Sequence, residues 1–253
     1  MNHLLKSGTT GKSAFGIKAV LVVVVSLAMM IPAVSNAANI STVPFAPVIE
    51  GDWSNKGNTW VNWAETTLKK EFDRFVDIES VRTKRIPFYS TSSRNVVLAE
   101  AIQAGRTGAY YIIAVTGENT TVVLNGNGDP IHEMNKLMAF SIDSPKKAEE
   151  YLKFFTSAIS SEDGIFVVID PRANYLPQSV YRIGIRPVRV RRKNSRKWLV
   201  SSDVIYGKSI FEAEFVIDRD GTVEMTADSF KEHLFLDYRV VMDGPRRMYI
   251  INS

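Results

Sequence analysis

Between residues 19 and 31 the chain reads "AVLVVVVSLAMMI", an almost unbroken apolar run that Pro32 ends. Ahead of it stand Lys6, Lys12 and Lys18 with no acidic residue, and behind it comes "SNAA", which places Ser35 and Ala37 at the −3 and −1 positions of a cleavage site. A basic start, a short apolar centre and a small-x-small exit are the parts of a secretory signal peptide. A membrane-spanning helix needs roughly 20 apolar residues, and this run stops short of that. The expectation is export with cleavage after Ala37, to a periplasmic or extracellular address, leaving no transmembrane span in the mature chain.

Removing that leader changes the electrostatics. The chain of 253 residues carries 31 Lys and Arg against 27 Asp and Glu, a formal charge of +4. Without the three leader lysines, 28 bases face 27 acids. The mature chain is then nearly neutral, which argues against nucleic acid as a partner. No cysteine is present, so disulfides, thiolate metal sites and cysteine nucleophiles are excluded. An exported body without disulfides has to be held by its hydrophobic core, and about 215 residues suffice for one. That combination suits a bacterial envelope better than a small disulfide-stapled scaffold.

Patterning divides the chain into a signal peptide over 1–37, an extended lead-in over 38–57, a mixed α/β part over 58–170 and an antiparallel β-rich part over 171–253. The boundary near Pro171 is soft, and one continuous domain could run through it. Trp60, Ala64, Leu68, Phe72 and Phe75 or Val76 recur at helical spacing and predict a helix over about 59–76. "SSRNVVLAEAIQAG" reads as a second helix capped by Gly105, and "GAYYIIAVT" as a buried strand with "TTVVLNGNGD" as its partner. "HEMNKLMAFSI" is ambiguous and leans towards strand at its end. "SPKKAEEYLKFFTSAIS" has the clearest helical pattern, with Ser144 as N-cap, Pro145 in the first turn and a stripe of Ala148, Leu152, Phe155 and Ile159. "GIFVVID" follows as a buried strand.

Beyond Pro171, strands are expected at about 179–191, 197–206, 209–218, 222–226, 234–241 and 246–252, with Asp220-Gly221 as a hairpin turn. The fold class is α+β: a helix-containing mixed α/β half followed by an antiparallel β-meander. In shape it resembles cystatin-like or NTF2-like domains, which curve a sheet around a helix; no motif accompanies that likeness, and it carries no residues over.

Residues 182–197 hold eight basic residues and no acidic one. Pro187 sits where the apolar parity switches from Ile183 and Ile185 to Val188 and Val190, which suggests a bend on an edge strand. Arg189 and Arg191 should then face solvent together, "RKNSR" should turn, and Trp198 should return on the partner strand. One reading is a solvated hairpin that guards its edge. The other is an anion-binding fingertip of Arg189, Arg191, Arg192, Lys193, Arg196, Lys197 and Trp198, suited to phosphate or carboxylate groups. Its partner would be an envelope protein, an acidic glycan or an anionic lipid headgroup.

Chemical motifs are refused one by one. "KSGTTGKS" has Lys6 where a phosphate loop needs glycine. "SPKK" at 144–147 matches Ser-x-x-Lys without its companion elements. "HEMNK" has Lys136 where a zinc protease needs histidine, "DRDG" at 218–221 lacks the calcium-loop spacing, and no Gly-x-Ser-x-Gly elbow occurs. "NIS" at 39 and "NTT" at 119 are glycosylation acceptors only in a eukaryotic secretory route. Histidines other than His3 are His132 and His233, far apart in sequence. No catalytic residue, metal ligand or cofactor is therefore assigned. Trp53, in the lead-in, is expected to dock on the body or to meet a partner or sugar ring. The sequence points to a non-enzymatic exported binding or assembly protein; the alternative is an exported hydrolase whose pocket gathers scattered Asp, Glu, His and Tyr.

Overall fold

A computed structural model describes residues 48–161, 164–171, 180, 182–234 and 238–251. In chain order the elements are β1 (Ser54–Lys56), α1 (Asn58–Phe72), β2 (Ile78–Arg85), β3 (Val96–Gln103), β4 (Ala109–Val115) and β5 (Thr121–Leu124). Then come α2 (Asp129–Leu137), α3 (Pro145–Ala158), β6 (Ser160–Ser161), β7 (Gly164–Val168) and β8 (Arg189–Arg192). The last five strands are β9 (Lys197–Tyr206), β10 (Ser209–Asp218), β11 (Val223–His233), β12 (Tyr238–Asp243) and β13 (Arg246–Ile251). The fold is α+β, with helices and two antiparallel sheets. The leader expected over 1–37 lies outside the described residues.

The first sheet runs β1-β2-β3-β4-β13-β12, and β5 also pairs with β4. On the side of β4 away from β3, β13 takes Ala109 and Tyr110 while β5 takes Tyr111 to Ala114. The second sheet runs β11-β10-β9-β7-β6 and repeats that device: β8 and β7 share one side of β9. The β9-β10-β11 run is a meander, but β12 and β13 leave it for the first sheet.

Three hydrophobic clusters hold this together. On one face of the first sheet, Ala64 and Leu68 of α1 meet Val81, Ala99, Ala101, Tyr110 and Ile112. On the other face, Leu98, Tyr111, Ile113 and Leu124 join α2, α3 and the inner face of the second sheet, including Val200, Val204 and Phe215, in one core. Val180, Ile183 and Ile185 cover part of the second sheet's outer face against Ile205 and Ile210. Each fully buried Leu, Ile or Phe contributes about 1.5–3 kcal/mol. Among the described residues no helix is long and apolar enough to cross a membrane.

Several local expectations need correction. "NVVLAEAIQ" is β3, not a helix, because it lies between β2 and β4 with Val96 to Ala101 all buried. A strand covered on both faces loses its period of two and can mimic a helical pattern. β2 was not anticipated at all. The "HEMNKL" segment is helix α2, and residues 138–142 form no strand. Helix α1 stops at Phe72, where Asp73 takes a left-handed φ of 50°; Phe75 is 68% exposed. The strand expected over 179–191 is confined to β8, among residues described there, and Pro187 precedes the strand without bending it. Helix α3 begins as read: the Ser144 hydroxyl accepts from the Lys147 amide at 3.3 Å.

Candidate functional site

The basic stretch is an antiparallel pair, with Arg189 opposite Ser201 and Arg192 opposite Trp198. Asn194 organises the turn between them: its Oδ1 accepts from the amides of Arg196 (2.8 Å) and Lys197 (2.9 Å), the side-chain-to-backbone bond that Asn favours in turns. Val190 packs on the core, so its neighbours Arg189 and Arg191 face outward and are exposed.

The structure divides the seven candidate residues into two groups. Arg192 is held locally, its guanidinium 5.5 Å from the Trp198 ring centroid and donating to the carbonyls of Asn194 and Ser195. Lys197 pairs with Asp218 at 3.1 Å. Trp198 is only 7% exposed, and its indole N–H donates to the Ile142 carbonyl at 3.2 Å, so the ring is a core residue and not a surface wedge. Arg189, Arg191, Lys193 and Arg196 are exposed and have no carboxylate partner among the described residues. Nearby Arg186, by contrast, is paired with Glu212. Arg196 also lines a shallow cleft with Phe140, Ser141, Asp218, Arg219 and Asp220.

A second place brings charged groups together that the sequence did not connect. A cleft of about 430 Å³ runs along α3. Its walls include Val48, Phe88, Phe154 and Val168, and its polar groups include Lys153, Glu149, Asp170 and Ser157. Lys153 Nζ lies 2.9 Å from both Glu149 and Asp170. Burial alone would lower the Lys153 pKa, but hydrogen bonds and charge from Asp170 and Glu149 outweigh it and raise the pKa above the usual lysine value. The ammonium is thus locked on. A Ser-Lys hydrolase needs the opposite, a lysine that sheds its proton to activate serine. Ser157 stands one turn beyond Lys153, yet no hydrogen bond joins them.

The histidines and tryptophans go elsewhere. His132 rests against the Phe155 ring at 5.6 Å, and His233 bonds Ser209 Oγ at 2.9 Å. Among the described residues no group of three His, Asp or Glu could hold a metal ion. Trp53 docks on the body, with the Arg82 guanidinium 5.0 Å from its ring centroid. That arginine is paired inside the protein with Glu100, which also accepts the Tyr111 hydroxyl at 2.5 Å. Trp60 meets Trp63 edge-on at 5.0 Å, both half-buried beside the β4–β5 turn.

The signal that would have exposed the α3 cleft is a polar stripe of Glu149, Lys153 and Ser157 at four-residue intervals. Asp170 comes from two residues past the end of β7 and Val48 from the lead-in, so no local pattern contains the set. Comparison with protein-family models, curated proteins and solved structures returned no match.

Proposed function

We propose that this chain is exported by its leader and serves a bacterial cell envelope as a non-enzymatic binding or assembly protein, engaging an anionic partner through the β8–β9 tip. The observation that carries this reading is the set of four exposed cations, Arg189, Arg191, Lys193 and Arg196, that lack carboxylate partners among the described residues. Because Trp198 is buried, attraction is electrostatic without an aromatic wedge, and binding should weaken with salt over a Debye length of about 8 Å at physiological strength.

The experiment is co-sedimentation with vesicles containing phosphatidylglycerol, against neutral phosphatidylcholine vesicles and a sulfated polysaccharide resin. Each Arg near an anionic lipid surface contributes about 1 kcal/mol. Arg189→Ser with Arg191→Ser should therefore cut partition about thirtyfold at low salt. Binding to the resin alone would assign the tip to an acidic glycan instead. Retention that neither salt nor the double substitution changes would overturn the role of the tip. Sequencing the amino terminus of exported material tests the leader separately: a start at Ala38 supports it, and an intact Met1 defeats cleavage.

A further inference from the structure

We infer that this chain assembles head to tail with copies of itself, strand β8 of one copy pairing with strand β11 of the next. The second copy is then the anionic partner of the β8–β9 tip, an assignment that rests on the tip's role as an anion-binding surface. With 11 residues β11 is the longest strand described, it pairs only with β10, and nearly all of it is exposed. Met225 and Phe230, at 44% and 55% exposure, are two of the four large apolar side chains left exposed among the described residues. A long exposed edge is a template for another strand, and proteins ordinarily cover or blunt it. Bulges at Thr226 and Lys231 interrupt β11, yet the residues between them, Ala227 to Phe230, stay in unbroken register with Glu214 to Phe211.

The opposite edge of the same sheet is β8, which among the described residues pairs only with β9. β8, β9, β10 and β11 are successively antiparallel, so the two edges run in opposite directions. A copy set beside the first without turning over therefore brings its β8 antiparallel to β11, as in an ordinary sheet extension. The four residues of β8 equal in number the regular stretch of β11. The faces also agree. Val190 packs on the core, so Arg189 and Arg191 lie on the outer face. Ala213 and Phe215 of β10 join the core, so Ala227 and Ser229, opposite Glu214 and Glu212, lie on the outer face as well. These two small residues leave room for arginine side chains, and Glu224 and Glu232 flank them on that face. The strand direction sends the turn cations Lys193 and Arg196 toward Glu224, and Arg189 toward Glu232.

Charge decides which copy of which edge fits. Glu224, Asp228 and Glu232 are exposed, and none meets a lysine or arginine among the described residues. Glu232 has one local bond, from the His233 amide at 3.2 Å. Lys231 turns inward instead, to Asp203 at 2.7 Å and the Gly184 carbonyl at 3.1 Å. Each edge thus carries the charges that the other lacks. Pairing β8 with β8, or β11 with β11, would set like charges together, which costs affinity. A head-to-tail contact between unlike edges closes into a ring or runs on as a filament.

The test uses the full chain purified from exported material, sedimented at concentrations up to about 1 mM, because two short strands bury less than the roughly 1,200 Å² of a standard interface. Its average mass should rise with concentration and fall back in about 1 M salt, where the Debye length shrinks to about 3 Å. Tip reversal, Arg189→Glu with Arg191→Glu, and edge reversal, Glu224→Lys with Glu232→Lys, should each weaken assembly at least about tenfold. An equimolar mixture of the two variants should assemble again, and amide exchange across Ala227–Phe230 should slow as it does. Edge reversal should not lower partition onto phosphatidylglycerol vesicles, which depends on the tip. A parent chain that stays monomeric overturns self-assembly, and tip-dependent vesicle or resin binding by that monomer leaves the tip's own role standing. Assembly that ignores edge reversal, or that leaves β11 exchange unchanged, also overturns it.

Discussion

Replacing Gly221 with alanine should cost far more than its single added methyl suggests. Gly221 has φ +91°, and a Cβ there would lie 2.4 Å from Asn135 Nδ2 and 2.6 Å from Tyr151 Oη. Those atoms belong to a buried chain: the Tyr89 hydroxyl donates to Asn135 Oδ1 (2.5 Å), and Asn135 Nδ2 donates to Tyr151 Oη (2.8 Å) and to the Asp220 carbonyl (3.1 Å). Tyr151 Oη in turn donates to the Gly221 carbonyl at 2.8 Å. Moving both contacts back breaks at least two of these bonds, each about 1–3 kcal/mol when buried, on top of about 1 kcal/mol for the left-handed backbone. The expected loss is about 4 kcal/mol. Gly117 is the matched control, with φ +85° and no atom within 4 Å of the added Cβ. Gly117→Ala should cost about 1 kcal/mol, the backbone contribution alone. Urea titrations of both variants, followed by tryptophan fluorescence, read the difference directly. Equal losses would refute the argument that the Asn135–Tyr151 network grips this turn.

Burial raises the pKa of Tyr89 and Tyr151 far above that of free tyrosine, and burial with the Glu100 charge does the same for Tyr111; Lys153 is also raised, by Asp170 and Glu149. A folded state that holds protons more tightly than the unfolded chain is favoured below the unfolded pKa values and loses that advantage above about pH 10. Stability should therefore fall steeply on the alkaline side, and phenolate absorbance should show Tyr89, Tyr111 and Tyr151 silent at about pH 10 while the fold persists; ordinary titration of these three in the folded protein, tested with Tyr→Phe variants, would contradict this. Glu100→Ala should cost about 3–5 kcal/mol in the same urea assay, because it strands the buried Arg82 guanidinium and removes the acceptor of the Tyr111 hydroxyl; a loss under about 1 kcal/mol would refute this. Ser144→Ala should remove the α3 cap and lower stability by about 1 kcal/mol, read as a lower thermal midpoint.

What could be read from the chain was whatever its own neighbours specify. The start of α3 is written in Ser144 and Pro145, and the β10–β11 turn in Asp220-Gly221; both stand in the structure. β4 and β5 were legible because glycines and β-branched runs bound them. β3 was misread because burial on both faces erased its alternation, so alanines and Glu100 imitated a helix. Helix α2 has only nine residues, too few for its period to stand out. The α3 cleft was invisible for a different reason: Asp170 reaches Lys153 across 17 positions, and only folding selects that carboxylate from the others.

The shared side of β4 has a consequence for the order of events in assembly. Its first residues wait for β13, and Arg246 donates to Gln103 across 143 positions of chain. Loops that long close late and slowly. β13 is thus the clasp of the first sheet, and without its opening residues Arg246 and Arg247 the start of β4 would present Ala109 and Tyr110 as a raw backbone edge.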